Sequence, residues 1–120
     1  MTSATSRSYS ASIISAAAHR SSEVSIDDRG RIHVDRVVFA VDCGIVLNPD
    51  LVRGQVEGGI RWGMQSIPTI EVHLIESTES PSGVGEVSVP TVAPALANAI
   101  FALTGSRIRR LPMSHTIQIF

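Results

Sequence analysis

Glu86 follows two glycines spaced two apart, in the run Pro81-Ser82-Gly83-Val84-Gly85-Glu86-Val87-Ser88-Val89-Pro90, and it is the only acidic residue after Glu79. Glycine lets the backbone take positive φ and leaves no side chain to fend off a bulky group. A carboxylate held at such a turn beside apolar residues can have its pKa raised and serve as a base. The same run also reads as a surface turn carrying a solvated glutamate, because a lone Gly-x-Gly-Glu is a weak signal. A second stretch bears on the same question. In Gly54-Gln55-Val56-Glu57-Gly58-Gly59 and on to Gly63, glycines stand four apart on a segment with helical periodicity. Each costs roughly 0.5–1 kcal/mol relative to alanine inside a helix, so something must pack close against it. Either another backbone or a bound cofactor meets that requirement, with Gln55 and Glu57 beside it.

The elements that position these residues read as follows. Val24 and Ile26 alternate with polar residues, Asp27-Asp28-Arg29-Gly30 supplies a turn, and Ile32 and Val34 resume the alternation, which predicts a hairpin. The second strand continues through Val37-Val38-Phe39-Ala40-Val41 and, being continuously apolar, should be buried on both faces. His33 and Asp35 share a face, more in keeping with a half-exposed strand than with a ligand pair. Asn48-Pro49-Asp50 is a helix start, with Asn as the cap, Pro in the first turn and Asp at the positive dipole end. That helix is expected from Pro49 to Gln65, with Val52, Val56 and Ile60 inward and Trp62 in the core. Thr69 to Ile75 reads as a strand with Glu71 and His73 on its solvated face. A second amphipathic helix opens at Pro90 or Thr91, carries Val92, Leu96, Ala99, Ile100 and Leu103 inward, and is capped by Gly105. Arg107 to Leu111 is expected as a short edge strand.

The whole is therefore expected as one α+β domain, a small mixed or antiparallel sheet with two main helices, over residues 23–112. Residues 1–22 are rich in Ser and Ala and lack acids before Glu23; they read as a disordered or poorly packed N-terminus, with an organelle-type presequence as the alternative. Residues 113–120 read as a tail. Ten arginines, no lysine and eleven acids give a net charge of −1 with no basic stripe, so a nucleic-acid partner is not expected. One cysteine and four scattered histidines offer no zinc spacing, and no apolar run approaches a membrane span.

Taken in order, Val37 to Gly44, Asn48-Pro49-Asp50, Gly54 to Gly59, Gly83-Val84-Gly85-Glu86 and Val92 to Ile100 resemble the C-terminal part of the large subunit of molybdenum hydroxylases, the xanthine dehydrogenase and aldehyde oxidase family. The likeness covers roughly residues 23 to 112 and is nearest to the isoquinoline 1-oxidoreductase beta subunits. The resemblance implies a molybdopterin cofactor in its cytosine dinucleotide form, iron–sulfur clusters on a partner subunit, and hydroxylation of an aldehyde or N-heterocycle. Glu86 matches the glutamate that serves as base at the molybdenum, Gln55 the glutamine lying against the cofactor, and Gly83 and Gly85 the turn that presents the glutamate. No side chain here is expected to ligate the metal. The family pattern usually has Pro where Val87 stands, and carries a few tens of residues where Gln65 here runs straight into Ser66-Ile67-Pro68. The site would then be completed by an upstream molybdopterin-binding polypeptide, and the isolated chain is expected to be inactive and to expose an apolar patch. The resemblance places it in the cytoplasm, or in the periplasm as part of an exported complex. A truncated, non-catalytic remnant without cofactor is the alternative.

Overall fold

A computed structural model describes residues 8–15, 18–62, 64 and 68–115. The sheet has four strands in the order β1 (Ser8–Ser15), β2 (Ala18–Ile26), β3 (Ile32–Val41) and β4 (Thr69–Leu74). The pairs β1–β2 and β2–β3 are antiparallel and β3–β4 is parallel, so the sheet is mixed. A parallel neighbour needs a crossover, and α1 (Pro49–Trp62) supplies it. The second helix, α2 (Val92–Thr104), lies against β1 and β2, while α1 lies beside β4. The expected α+β arrangement with two main helices is what the chain forms.

The β2–β3 hairpin is set by Asp27. Its Oδ1 accepts the backbone N–H groups of Arg29 and Arg31, both at 2.9 Å, and its Oδ2 accepts Arg31 Nε at 2.7 Å and lies 3.2 Å from His33 Nε2. Gly30, at φ +77°, takes the left-handed position of the turn. A bulge follows, since Glu23 faces Arg36 while Val24 faces Val34, and Asp35 drops out of the pairing. The bulge resets the inward phase: Ile32 and Val34 before it, then Val37, Phe39 and Val41 after it, all buried. These cross to Ile70, Val72 and Leu74 of β4 and join Val56, Ile60, Leu96, Ala99 and Ile100 in one core. His33 and Asp35 accordingly do not pair. His33 meets Asp27, and Ser25 Oγ donates to Asp35 at 3.0 Å.

Several expectations are corrected. The N-terminal 1–22, read as poorly packed, includes β1 and the first half of β2. The inward residues of β2 there are Ala18, Arg20 and Ser22, so no apolar alternation marked the strand. Arg20 is 1% exposed; Nε donates to Ser22 Oγ at 3.3 Å, and burial pushes the guanidinium down to about 10. Val38 and Ala40 are only half-buried, because the residues opposite them on β4 are Glu71 and His73. On this face Arg36 Nη2 pairs with Glu71 at 2.8 Å and Nη1 with Glu23 at 3.2 Å, an exposed network of modest worth. Arg107 to Leu111 forms no strand; the chain doubles back over α2, and the Arg107 guanidinium sits 3.8 Å above the Phe101 ring. α1 ends at Trp62, and the expected continuation through Gly63 and Gln65 lies outside the described residues, as do the Gln65–Ser66 join and the end of the tail.

The Arg31 backbone N–H above all, then the His33 and Arg31 side chains and the Arg29 N–H, holds the Asp27 carboxyl far below the usual carboxylate range. A depressed folded-state pKa adds stability above the unfolded value of about 3.9, and that stability is lost as pH falls. Asp27→Ala should therefore be less stable than the parent in denaturant melts at pH 7, and the gap should narrow steadily below about pH 4. A gap that stayed constant with pH would mean that Asp27 acts only through its turn geometry.

Candidate functional site

The site is built from the end of β3. Gly44 stands at φ +77°, and a Cβ there would come within 2.7 Å of Glu79 O. Because it is glycine, the segment after β4 can close on it: Ile45 N donates to Glu79 O at 3.0 Å and Ser82 N to Cys43 O at 2.8 Å. Gly44 N itself donates to Asp42 Oδ1 at 3.0 Å. Three residues past this clamp the chain reaches Gly85 and Glu86, then turns into α2, with Val89 N donating to Glu86 O at 3.3 Å. Thr91, at the cap position, makes no side-chain cap bond; its Oγ1 donates to Ser88 O at 2.9 Å. Gly83 and Gly85, expected to supply positive φ, do not; that geometry falls at Gly30, Gly44 and Gly105. What they supply is room, since nothing lies within 4 Å of the place a Cβ would take at either.

α1 forms the opposite wall. Asn48 Oδ1 caps it by accepting Leu51 N at 3.1 Å, as its position before Pro49 predicts. Val56 and Ile60 are fully buried and fix which side of the helix faces out. Gly59 is packed directly against the buried Ser88 side chain, whose Oγ has no hydrogen-bond partner among the described residues and sits where a Gly59 Cβ would go. Gly54 and Gly58, by contrast, face open space. The close neighbour that the glycine spacing calls for is thus a side chain at one glycine and, among the described residues, nothing at two others. Trp62, expected in the core, is 86% exposed. It lies two residues past Ile60, about 200° around the helix, so it points away from the core.

Between the two walls lies an open cleft of about 400 Å³, lined by Gly58, Gly59, Trp62, Gly85, Glu86, Val89 and Pro90. Glu86 is exposed and, among the described residues, is the cleft's one charged group. The structure thus brings Gly85 and Glu86 together with the α1 glycines. It leaves Gly83, two residues upstream, and Gln55, nearly one turn before Gly58, exposed but outside the lining. The wall residues that sequence reasoning missed are Trp62, Val89 and Pro90. The signal for Trp62 was its place three and four residues beyond the glycine pair, on their face of the helix. Among the described residues no group of three or more His, Cys, Asp or Glu is placed to hold a metal ion, and no helix is long and apolar enough to cross a membrane. Exposed apolar side chains do occur, with Leu47 85%, Leu51 63% and Trp62 86% exposed along α1 and its approach.

Residues 1–83 match the family described as molybdopterin cofactor-binding domain, and the chain belongs to that family. It is 33% identical to the beta chain of the isoquinoline 1-oxidoreductase of Brevundimonas diminuta, over 68% of this chain and 14% of that one. It is 34% identical to a nicotinate dehydrogenase subunit of Pseudomonas putida, over 77% and 10%. In structure it superposes on the aldehyde oxidoreductase of Desulfovibrio desulfuricans with a TM-score of 0.69 and 25% identity, over 79% of this chain and 14% of that one. The chain therefore spans a small fraction of the length of the relatives it matches. The Brevundimonas alignment runs over 110 positions yet takes in 68% of the 120 residues here, about 82, so about 28 positions have no counterpart in this chain.

These residues fit one side of a molybdopterin site. Gly58 and Gly85 leave room at the cleft for a flat group where a Cβ would stand, and a carboxylate opens onto the same space. The contact at Gly59 gives a stability test. Gly59→Ala should lower stability by about 1–3 kcal/mol through overpacking, and adding Ser88→Ala should restore most of it. Gly58→Ala, facing open space, should be neutral or stabilising by up to about 1 kcal/mol. Denaturant melts of the parent and these variants decide it; equal effects at Gly58 and Gly59 would contradict the packing described.

Proposed function

We propose that the chain is a C-terminal part of a molybdenum hydroxylase large subunit, supplying Glu86 as the base for hydroxylation of an aldehyde or an N-heterocycle. The observation that carries this reading is the Glu86 carboxylate, exposed at a cleft whose other lining residues are glycines and uncharged side chains. Hydroxylation by water releases two protons and two electrons overall, so the site needs a proton acceptor beside the reacting atoms. Glu86 takes up a proton at its carboxylate. Gly83 and Gly85 keep its approach clear, and Gln55 places an amide on the same helix as the glycine wall. When bound, the molybdopterin, in its cytosine dinucleotide form, supplies the two-electron redox chemistry. The electrons leave through iron–sulfur clusters on a partner, and an upstream molybdopterin-binding polypeptide completes the site. In this reading the complex is cytoplasmic, with export to the periplasm as the alternative.

A non-catalytic remnant is the second reading, and the roughly 28 alignment positions missing from this chain favour it. Glu86→Gln separates the two. In a complex reconstituted with the upstream polypeptide and the iron–sulfur subunit, loss of the base should lower kcat about 10²–10⁴-fold while leaving the melting temperature in place. A variant as active as the parent would sink the proposed role of Glu86.

A further inference from the structure

Charge is divided unevenly along the chain. Residues 1–86 carry seven arginines against eleven acids, whereas residues 87–120 carry Arg107, Arg109 and Arg110 and no acid. All three arginines are exposed, and none makes an ion pair among the described residues. They stand where the segment after Gly105 doubles back over α2. Between that segment and the helix lies a shallow hollow of about 190 Å³, which shares no lining residue with the cleft at Glu86. Its apolar lining is Pro94, Ala97, Phe101 and Ile108, and its polar groups are the Asn98 amide and the guanidinium groups of Arg107 and Arg109. The Arg107 guanidinium lies 3.8 Å from the centroid of the Phe101 ring. Stacking occupies the flat face of a guanidinium and leaves its N–H edge for a planar acceptor such as a carboxylate. We propose that this hollow docks an acidic segment of another polypeptide. One carboxylate accepts hydrogen bonds from Arg107 and Arg109, and an adjoining apolar side chain rests on Phe101 and Ile108. Charge complementarity selects the partner, because the arginines have no acceptor in their own third of the chain. Size selects a side chain over a free ligand, since about 190 Å³ falls below the roughly 300–1,000 Å³ of small-molecule sites. The proposal does not depend on the role given to Glu86.

The probe is a fluorescein-labelled peptide, Leu-Glu-Glu-Leu-Asp-Glu, with a counterpart carrying Gln and Asn in place of the acids. Fluorescence anisotropy against the full chain reads the binding. The acidic peptide should give a saturable rise and the neutral one should not. Raising sodium chloride from about 0.05 to about 0.5 M should weaken the binding as screening grows. Arg107→Gln and Arg109→Gln, both at exposed side chains, should each weaken it about two- to fivefold with the far-UV circular dichroism unchanged. Phe101→Leu keeps the hollow apolar but removes the stack, so Arg107→Gln should cost less in that background than in the parent. Arg107→Glu combined with Arg109→Glu should abolish binding of the acidic peptide and create binding of a peptide with Lys in place of its acids. Equal binding of the acidic and neutral peptides, or unchanged affinity in both single arginine variants, overturns the proposal. Inorganic phosphate that displaces the peptide at equal concentration would assign the hollow to a free anion. A salt-sensitive dimer in sedimentation, lost in Arg107→Gln, would assign it to a second copy of the chain. Either result overturns the acidic segment as its occupant.

Discussion

The carbonyl groups of Glu79 and Ser80 press against Gly44 so closely that no other residue can stand there, and the placement of everything downstream depends on that contact. Two backbone hydrogen bonds, from Ile45 to Glu79 and from Ser82 to Cys43, join the end of β3 to the segment that leads to Glu86. β3 is itself fixed on both sides, by β2 through the Asp27 turn and the bulge, and by β4 through a parallel ladder that needs α1 as its crossover. The clamp therefore ties the loop before α2 to an inner, largely buried strand of the sheet. A surface loop of this length would otherwise be the most variable part of the molecule.

α1 serves two incompatible demands. Its inner side must pack, and Val56, Ile60 and the Gly59–Ser88 contact do so. Its outer side is left bare at Gly54 and Gly58, which costs helix stability and gains no contact among the described residues. Ser88 adds a further cost, since its hydroxyl is buried without a partner among the described residues. Such local losses concentrate where a structure meets something else. Membership of the molybdopterin cofactor-binding family agrees with a helix that leaves such a face open.

Much of this was legible from residue types. Asn48 before Pro49 gave the start of α1, Gly105 the end of α2, and Asp27 to Gly30 the hairpin, because each rests on local chemistry that tertiary context did not override. The linked motifs gave the family. What escaped has physical reasons. β1 and the first half of β2 carry serines and a buried arginine on positions where apolar alternation is the usual signal. The bulge at Asp35 changes the phase of β3 midway, so its apolar run looked buried on both faces while one face stands opposite Glu71 and His73. Trp62 was assigned to the core by its type alone, although its angle from Ile60 turns it outward. For Gly83 and Gly85, spacing suggested a turn of positive φ, which neither takes; each instead faces open space.

The central claim is that this chain forms one wall of a molybdopterin site. Its most direct test is the molybdenum and pterin content of the chain purified from a host that makes the cofactor, alone and together with the upstream polypeptide. The account predicts about one molybdenum and one pterin per complex, with little of either on the chain alone. No cofactor in a stable, correctly assembled complex would contradict it, and would leave the motifs as a record of ancestry.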